Sequence, residues 1–292
     1  MNQQFSKGLI LTSLGSFWWG FIGVLYFEYI SFIGHIELVI HRCIWTAIML
    51  ILTTTFFSKW KIFFKIFKKK KYLIGLIFSG FLIFINWAVW IYAVSTNRII
   101  DASFGYFIMP IISVFLGYIF FKEKLNKKRI FSISLVLISI FILIFFNIKG
   151  PPWVGIIVAL SWAFYNLIRK KINVDTDVGL LIESLFIFPF AIVGFFLIVS
   201  NGYNDFNIKN PGLSLFLTLA GPMTVIPLFL YVRGVELIGL GATGMIFYIT
   251  PTLQFVLGYF YYNEDFSFIK FVSFIIIWIA VIIYLKDLYE HN

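Results

Sequence analysis

The sequence is poor in cysteine, histidine and charge. A single cysteine, Cys43, excludes an intrachain disulfide and makes a cysteine-based metal cluster implausible. The three histidines, one of them penultimate, offer little material for a metal centre or a catalytic pair. Charged residues make up only 12% of the chain, against roughly 25% in an ordinary globular domain. These shortages argue against a soluble domain and against an enzyme, and they give no sign of a cofactor.

Apolar residues are what the chain has in abundance. They account for 61% of its 292 residues, more than polar surface could cover, so the lipid bilayer is the predicted environment. The net charge of +10 does not indicate nucleic acid, because the charges lie between apolar runs rather than along one groove or helix face.

Ten apolar runs are long enough to cross a bilayer as helices. They are too long and too uniformly apolar for the strands of a barrel. The first run has no convincing signal-peptidase site, so it is predicted to be a retained helix. The predicted spans are residues 6–27, 34–57, 72–95, 101–121, 130–147, 152–170, 178–200, 211–233, 239–262 and 267–286.

Lysine and arginine predict the orientation of these spans. With the N-terminus inside, 18 of the 23 basic residues fall on the inner side and four on the outer side. The remaining one, Arg42, lies within a span. Positive residues favour the cytoplasmic side, so both termini are predicted to be cytoplasmic.

The chain also repeats itself. Residues 102–125 align with residues 243–266 at a constant offset of 141, which pairs Pro110 with Pro251. Five spans per repeat is an odd number, so the second copy must enter the membrane inverted. Inverted repeats are typical of secondary transporters, in which one half rocks against the other.

A weaker match at an offset of 146 pairs Glu37 with Glu183. Together the two alignments divide the chain into residues 1–150 and residues 151–292, each predicted to form one five-helix repeat. The predicted fold is thus an all-α integral membrane protein with ten transmembrane helices in a 5+5 inverted arrangement.

Six short motifs are distributed from the second span to the ninth. They are IHRCIW (40–45), NWAVWIYAVSTNR (86–98), DASFGYFIMP (101–110), NLIRKK (166–171), GLLIES (179–184) and FYITPT (247–252). As a set they resemble the RarD-type branch of the EamA family, in the drug/metabolite transporter superfamily. The resemblance implies a bacterial inner-membrane transporter whose central cavity is lined mainly by spans 1, 3, 4, 6, 8 and 9. Met109 and Thr250 depart from the pattern expected of this branch.

Tryptophan occurs at the middle of two predicted spans, although it usually belongs at the membrane interfaces. Helix packing is one explanation; the other is an aromatic wall that stacks on a solute or holds a cation. Polar groups within spans indicate either interhelical pairing or a wet cavity. The predicted substrate-cavity residues are Trp18, Trp19, Asn86, Trp87, Trp90, Tyr106, Trp162, Tyr165, Asn166, Tyr248 and Gln254.

Two acids lie at shallow depth on opposite sides of the membrane. Glu37 is about one turn from the outer end of its span, and Glu183 is similarly close to the inner end of its own. They are predicted either to serve gates that close alternately or to have a structural or interfacial role.

Arg42 and His41 lie deeper in the same span as Glu37. Helical phase places Arg42 about 140° from Glu37, so a partner on another helix is predicted, with Asp101 as the candidate. Such a network would order the fold or gate the cavity; direct contact with a substrate carboxylate is the alternative. His41 is predicted either to carry protons or to be hydrogen-bonded.

Pro110 and Pro251 fall inside predicted spans at matching positions of the repeat. Each removes a helical hydrogen bond, and each is predicted to give a fixed kink or a pivot that exposes a carbonyl.

The predicted function is secondary transport of a small organic metabolite by alternating access. An amino acid, an amine or another aromatic or amphipathic solute fits the predicted cavity. A lipid scramblase or channel-like facilitator is the alternative, although no continuous polar stripe or ring of charges is visible. The sequence leaves a homodimer open.

Overall fold

The computed structural model describes residues 3–96, 99–147, 153–261 and 268–290, with side chains for all of these except 94, 95, 99–104, 147, 258 and 270. Every regular element in these ranges is helical, as the composition predicts. The helices are α1 Gln3–Phe17, α2 Gly23–Tyr29, α3 His35–Phe56, α4 Trp60–Phe67, α5 Lys70–Ser95, α6 Ile99–Phe121, α7 Lys127–Asn147, α8 Trp153–Ile172, α9 Thr176–Ser200, α10 Pro211–Thr218, α11 Ala220–Ile246, α12 Ile249–Phe260 and α13 Phe268–Glu290. A π-helical segment, Trp18–Ile22, joins α1 to α2.

Seven helical segments in the described ranges are long and apolar enough to cross a membrane. One of them extends over 47 residues, from Pro211 to Leu257. At 1.5 Å per residue it would be about 70 Å long, more than twice the thickness of the hydrocarbon core. It is interrupted at Gly239, where φ is 90° and ψ is 172°. The other six are Gln3–Tyr29, His35–Phe56, Lys70–Ala93, Lys127–Phe146, Thr176–Ser200 and Phe271–Glu290, and Gly105–Phe121 is a shorter apolar helix.

The helices pack in pairs that bring distant parts of the chain together. α1 lies along α11, α3 lies against α9, and α8 packs against both α5 and α6. Small residues allow close approach: a Cβ at Gly105 of α6 would stand 2.5 Å from the carbonyl oxygen of Gly155 of α8. Helices from both halves of the sequence therefore form the centre of the bundle.

α7 and α13 form a separate pair. The Ser132 hydroxyl donates to the Ala280 carbonyl at 2.5 Å, and the Ser139 hydroxyl donates to the Ser273 carbonyl at 2.8 Å. Arg129 binds Asp287 at 2.8 Å near one end of the pair. Their buried core contacts α6, Met245 near the end of α11, and Tyr248. The pair therefore packs beside the central helices, and those helices form the site.

α4 lies outside the ten apolar runs. It is a short amphipathic helix whose Phe63 and Ile66 are buried, while Lys61 and Lys65 are exposed. With only eight residues it is too short to span a bilayer, and its alternation of lysine with aromatic residues suits an interfacial position.

Candidate functional site

A cavity of about 50 Å³ lies between helices from the first and second halves of the chain. A void of this size holds a few water molecules. Among the described residues, aromatic side chains form most of its wall, together with one cation and three uncharged polar side chains. Its lining consists of Trp19, Gly23, Phe27, Arg42, Asn86, Trp87, Trp90, Tyr106, Trp162, Phe247, Thr250 and Gln254.

The π-helical segment determines which of two adjacent tryptophans reaches the cavity. The Gly23 amide donates to the Trp18 carbonyl, five residues back, so the helix is locally wider than an α-helix. At Gly20 an added Cβ would stand 2.9 Å from the backbone of Thr250, so the segment packs directly against α12. Trp19 then points into the cavity, and Trp18 does not line it.

An aromatic cluster closes one side of the cavity. The rings of Trp19 and Trp162 meet edge to face, with centroids 5.0 Å apart. Tyr231, which is fully buried, contacts Trp19 at 5.7 Å, Trp162 at 5.4 Å and Phe247 at 5.5 Å. Aromatic side chains of α8 and α11 thus contact the π-helical segment, and the rings form a continuous apolar layer.

Arg42 is the cation of the lining and is 5% exposed. Its guanidinium lies over the rings of Phe27 and Trp87, 5.0 and 4.7 Å from their centroids. Its Nε donates to the Thr224 hydroxyl at 3.0 Å. The side chain of Asp101, the partner predicted from sequence, lies outside the described residues. Arg42 therefore belongs to the cavity wall as well as to an interhelical contact.

The polar lining residues also bind other helices. Asn86 of α5 donates to the Val158 carbonyl at 3.0 Å and to the Ser161 hydroxyl at 3.1 Å. Thr250 donates to the Ser16 carbonyl at 2.9 Å. These hydrogen bonds fix the positions of the wall residues. They also satisfy buried polar groups, which would destabilise the fold if they were left without partners.

Four residues predicted for the cavity lie outside its lining: Trp18, Tyr165, Asn166 and Tyr248. Tyr165 stacks on Trp162 from behind, with centroids 5.6 Å apart. Asn166 is buried and donates to the Trp162 carbonyl at 2.9 Å. Tyr248 faces α6 and the α7–α13 pair, where its hydroxyl donates to the Phe107 carbonyl at 2.8 Å. Tyr165 and Tyr248 thus bind neighbouring helices and Asn166 bonds within α8, and none of the three forms the cavity surface.

Glu37 holds a loop at one end of the bundle. Its Oε1 accepts the amides of Asp205 and Phe206, at 2.8 and 3.1 Å, in the connection between α9 and α10. His41 Nε2 lies 3.5 Å from the same oxygen, and Trp45 Nε1 donates to His41 Nδ1 at 3.2 Å. Burial raises the pKa of the Asp205 carboxyl, and the charge of Glu37 raises it further. Glu37 and Arg42 lie on different sides of α3, as helical phase predicts.

Glu183 belongs to a buried ion cluster at the opposite end. Its carboxylate accepts from Ser79 at 2.6 Å, from Tyr165 at 3.2 Å and from Arg169 at 3.3 Å. Arg169 is 1% exposed and also lies 3.9 Å from Glu236. We call Ser79, Tyr165, Arg169, Glu183 and Glu236 the Arg169 cluster. Because Tyr165 contacts both Glu183 and Trp162, this cluster touches the cavity wall directly.

Two further ionic contacts join the halves near the Arg169 cluster. Lys59 binds Asp177 at 2.7 Å and Asp175 at 3.1 Å. Glu123 binds Lys170 at 3.0 Å and accepts the amides of Leu240 and Gly241, both at 2.9 Å. Residues from the first half thus bind residues from the second at each of these points.

The two prolines have different positions in their helices. Pro110 lies inside α6, where its backbone packs against Gly244 of α11. Pro251 lies in the first turn of α12, because the chain breaks from helical bonding at Phe247 and Tyr248 just before it. The first turn of a helix tolerates proline without a kink.

Sequence reasoning missed several residues of the site. Phe27 and Phe247 are two of the 38 phenylalanines in the chain, and no feature of the surrounding sequence distinguishes them from phenylalanines that face lipid. Phe247 had one usable signal, its alignment with Tyr106 at the offset of the repeat. Arg169 was missed because a lysine- and arginine-rich helix end ordinarily indicates topology alone. Glu236 was missed because it follows Arg233 at the end of a predicted span, where charges usually mark the membrane interface.

Comparison with known sequences decides the family. A profile of the EamA-like transporter family matches residues 6–145 and again residues 151–286. The chain belongs to this family. It is accordingly a multi-pass protein of the bacterial inner membrane in a family of membrane transporters, and the resemblance drawn from its motifs is confirmed.

Individual relatives extend over nearly the whole chain. "Uncharacterized transporter YojE" of Bacillus subtilis is 32% identical over 97% of this chain and 95% of its own length. "Protein RarD" of Escherichia coli is 30% identical over 98% of this chain and 96% of its own. A solved crystal structure matches with a TM-score of 0.73 at 12% identity, covering 97% of this chain and 98% of that one, which shows a shared fold.

Proposed function

We propose that this EamA-family protein is a secondary transporter that moves a small organic metabolite through the central cavity by alternating access. The observation that carries the proposal is the position of the cavity. Its aromatic wall is built from both halves of the chain. It lies between two sets of contacts that join those halves at opposite ends of the bundle, Glu37 with the 205–206 amides at one end and Ser79 with Glu183 and Lys59 with Asp177 at the other. A solute site between two such ends is the arrangement that alternating access requires.

We further propose ten spans arranged as a 5+5 inverted repeat, with both termini cytoplasmic. The break at Gly239 supports the separation of the eighth span from the ninth. The two matches of the family profile support two units of similar length, residues 1–150 and 151–292. The excess of Lys and Arg on the inner side assigns the Arg169 cluster to the cytoplasmic end and Glu37 to the outer end.

The proposed transport cycle opens one end at a time. Pockets that bind small molecules commonly measure roughly 300 Å³ or more, whereas this cavity measures about 50 Å³. The described cavity is therefore too small for such a solute and must widen during the cycle. At the cytoplasmic end, opening would separate Lys59 from Asp175 and Glu183 from Ser79. At the outer end, it would release the loop that Glu37 holds.

Cross-linking the cytoplasmic end tests this cycle. Cys43, which is buried, is the single cysteine of the chain, so the Cys43→Ala variant provides a background without thiols. Lys59→Cys with Asp175→Cys then places two thiols across the proposed gate. A short bifunctional thiol reagent should stop solute flux in proteoliposomes, and a cleavable form of the reagent should restore flux on reduction.

The matched control is a second ionic pair far from the cavity. Lys128 and Glu290 lie 3.0 Å apart at the surface of the α7–α13 pair. The double variant Lys128→Cys/Glu290→Cys should keep its flux when cross-linked. Full flux through a protein cross-linked between positions 59 and 175 would contradict alternating access, and lipid exchange in the same vesicles would favour a scramblase.

A further inference from the structure

Arg42 brings a positive charge into a wall that is otherwise aromatic or neutral. The guanidinium is fixed by the rings of Phe27 and Trp87 on its faces and by Thr224 at Nε. The two terminal nitrogens have no hydrogen-bond partner among the described side chains. A planar guanidinium held in this way presents a fork that fits the two oxygens of a carboxylate.

The described part of the wall contains no negative charge to match this cation. The twelve lining residues include no aspartate or glutamate. Of the carboxylates that the structure describes, none lies within 4 Å of Arg42, and Glu37 faces the loop at 205–206 instead. Among the described residues, Arg42 thus has no anionic partner. A buried cation in such a setting is unfavourable in a membrane protein, and an anion that binds beside it relieves that cost.

The other lining residues can contact the aromatic or apolar part of such an anion. Trp19, Trp90 and Tyr106 offer ring faces and edges to an aromatic or apolar group. A second cation would meet repulsion from Arg42, whose nearest aromatic face, Trp87, is already occupied by the guanidinium. Because the described lining carries a positive charge and no negative one, it favours a negative solute over a zwitterion, and a zwitterion over an amine.

We propose that the substrate class is aromatic or apolar carboxylates, and that Arg42 is the residue that binds the carboxylate. This inference rests on the proposed transport function.

Three probes with the same ring system test the charge preference. Indole-3-propionate is an anion, tryptophan is a zwitterion and tryptamine is a cation at neutral pH. Binding to the purified full-length protein is measured as thermal stabilisation against probe concentration. The expected order of affinity is indole-3-propionate, then tryptophan, then tryptamine.

Variants of Arg42 test the assigned residue. Arg42→Gln should weaken indole-3-propionate roughly 30-fold or more, as expected when one member of a buried charged pair is lost. The same variant should bind tryptamine at least as well as the parent protein does. Arg42→Lys keeps the charge without the fork and should retain part of the preference, which keeps the test decisive if Arg42→Gln does not fold.

Arg129→Gln is the matched control. Arg129 is also a buried arginine with an aromatic neighbour, but it pairs with Asp287 in the α7–α13 pair, outside the cavity. Its substitution should leave the order of the three probes unchanged.

Two results would overturn the inference. One is tryptamine binding as tightly as indole-3-propionate; the other is silence of all three probes. Flux measurements separate this from failure of the proposed function. Transport of tryptophan or tryptamine without the acid would remove the charge assignment and keep the transporter, whereas no flux for a broad panel of charged and neutral solutes would remove the transporter as well.

Discussion

The ring of Tyr106 lies 5.7 Å from the ring of Phe247, and the two residues are separated by the 141-residue offset of the repeat. Each stands four residues before a proline, Pro110 or Pro251, so neither carbonyl receives the usual helical bond from that position. Thr250 donates its amide to the Phe247 carbonyl instead, at 2.9 Å. Corresponding parts of the two halves thus meet on the wall of the cavity. In the proposed alternating-access cycle, a rocking motion between the halves would change the shape of the site at this contact.

Trp19→Ala should weaken solute binding by roughly tenfold or more, because it removes a ring that lines the cavity and contacts Trp162. Binding is measured as ligand-induced thermal stabilisation with a panel of amino acids, amines and aromatic acids. Trp19→Phe keeps an aromatic face and should retain most of the affinity.

Trp18→Ala is the neighbouring control, because the same residue type is removed one position away and outside the lining. It should leave the affinity within a factor of about two while changing stability modestly. Equal weakening by both alanine variants would show that the segment acts through packing and not through an aromatic surface.

Much of this site could be predicted because membrane helices restrict what polar and amphipathic residues can do. Mid-span tryptophan and asparagine have few roles in lipid, so Trp19, Asn86 and Trp162 could be proposed from their depth, although depth selected Trp18 and Asn166 equally. The all-helical fold followed from composition and run length, since unsatisfied backbone groups cannot face lipid.

The remaining details depend on local geometry that spacing does not specify. Trp18 and Trp19 are adjacent, and only the π-helical segment decides which one faces the cavity. Glu183 was visible as an intramembrane acid, but its partner Arg169 resembled an ordinary topology signal. Tyr248 is in the right span at the right depth, yet it faces the α7–α13 pair because the chain breaks at that residue.

Glu183→Gln should lower the free energy of unfolding by about 3 kcal/mol, because it leaves Arg169 buried without its bonded carboxylate. The change is measured as a lower apparent melting temperature in detergent. Glutamine preserves the size of the side chain and can still accept from Ser79, so the loss reports the charge.

The double variant Glu183→Gln/Arg169→Gln should recover part of that loss, because it removes both buried charges. If the double variant is less stable by the full sum of the single losses, the two residues do not act as a pair. The proposed cytoplasmic gate would then require another explanation.

Glu37→Ala should release the loop between α9 and α10, because it removes the acceptor of the Asp205 and Phe206 amides. Hydrogen exchange of residues 201–210 should become faster by about tenfold or more, as expected for the loss of charge-assisted hydrogen bonds. Glu37→Gln retains a carbonyl acceptor and should remain close to the parent protein. Unchanged exchange in Glu37→Ala would show that the loop is held by other contacts.

Gly239→Ala should be destabilising by about 2 kcal/mol, because its φ of 90° strains any residue with a side chain. An added Cβ would also stand 2.5 Å from Glu123 Oε1 and 2.9 Å from Lys170 Nζ, which disturbs the ionic contact between the halves. Gly34→Ala is the control, since that glycine has an ordinary φ of −54° and no atom within 4 Å of the added Cβ. Thermal denaturation should separate the two variants clearly. Similar melting temperatures for both variants would mean that the break in α11 tolerates a side chain. They would also mean that Glu123 and Lys170 can move apart without a loss of stability.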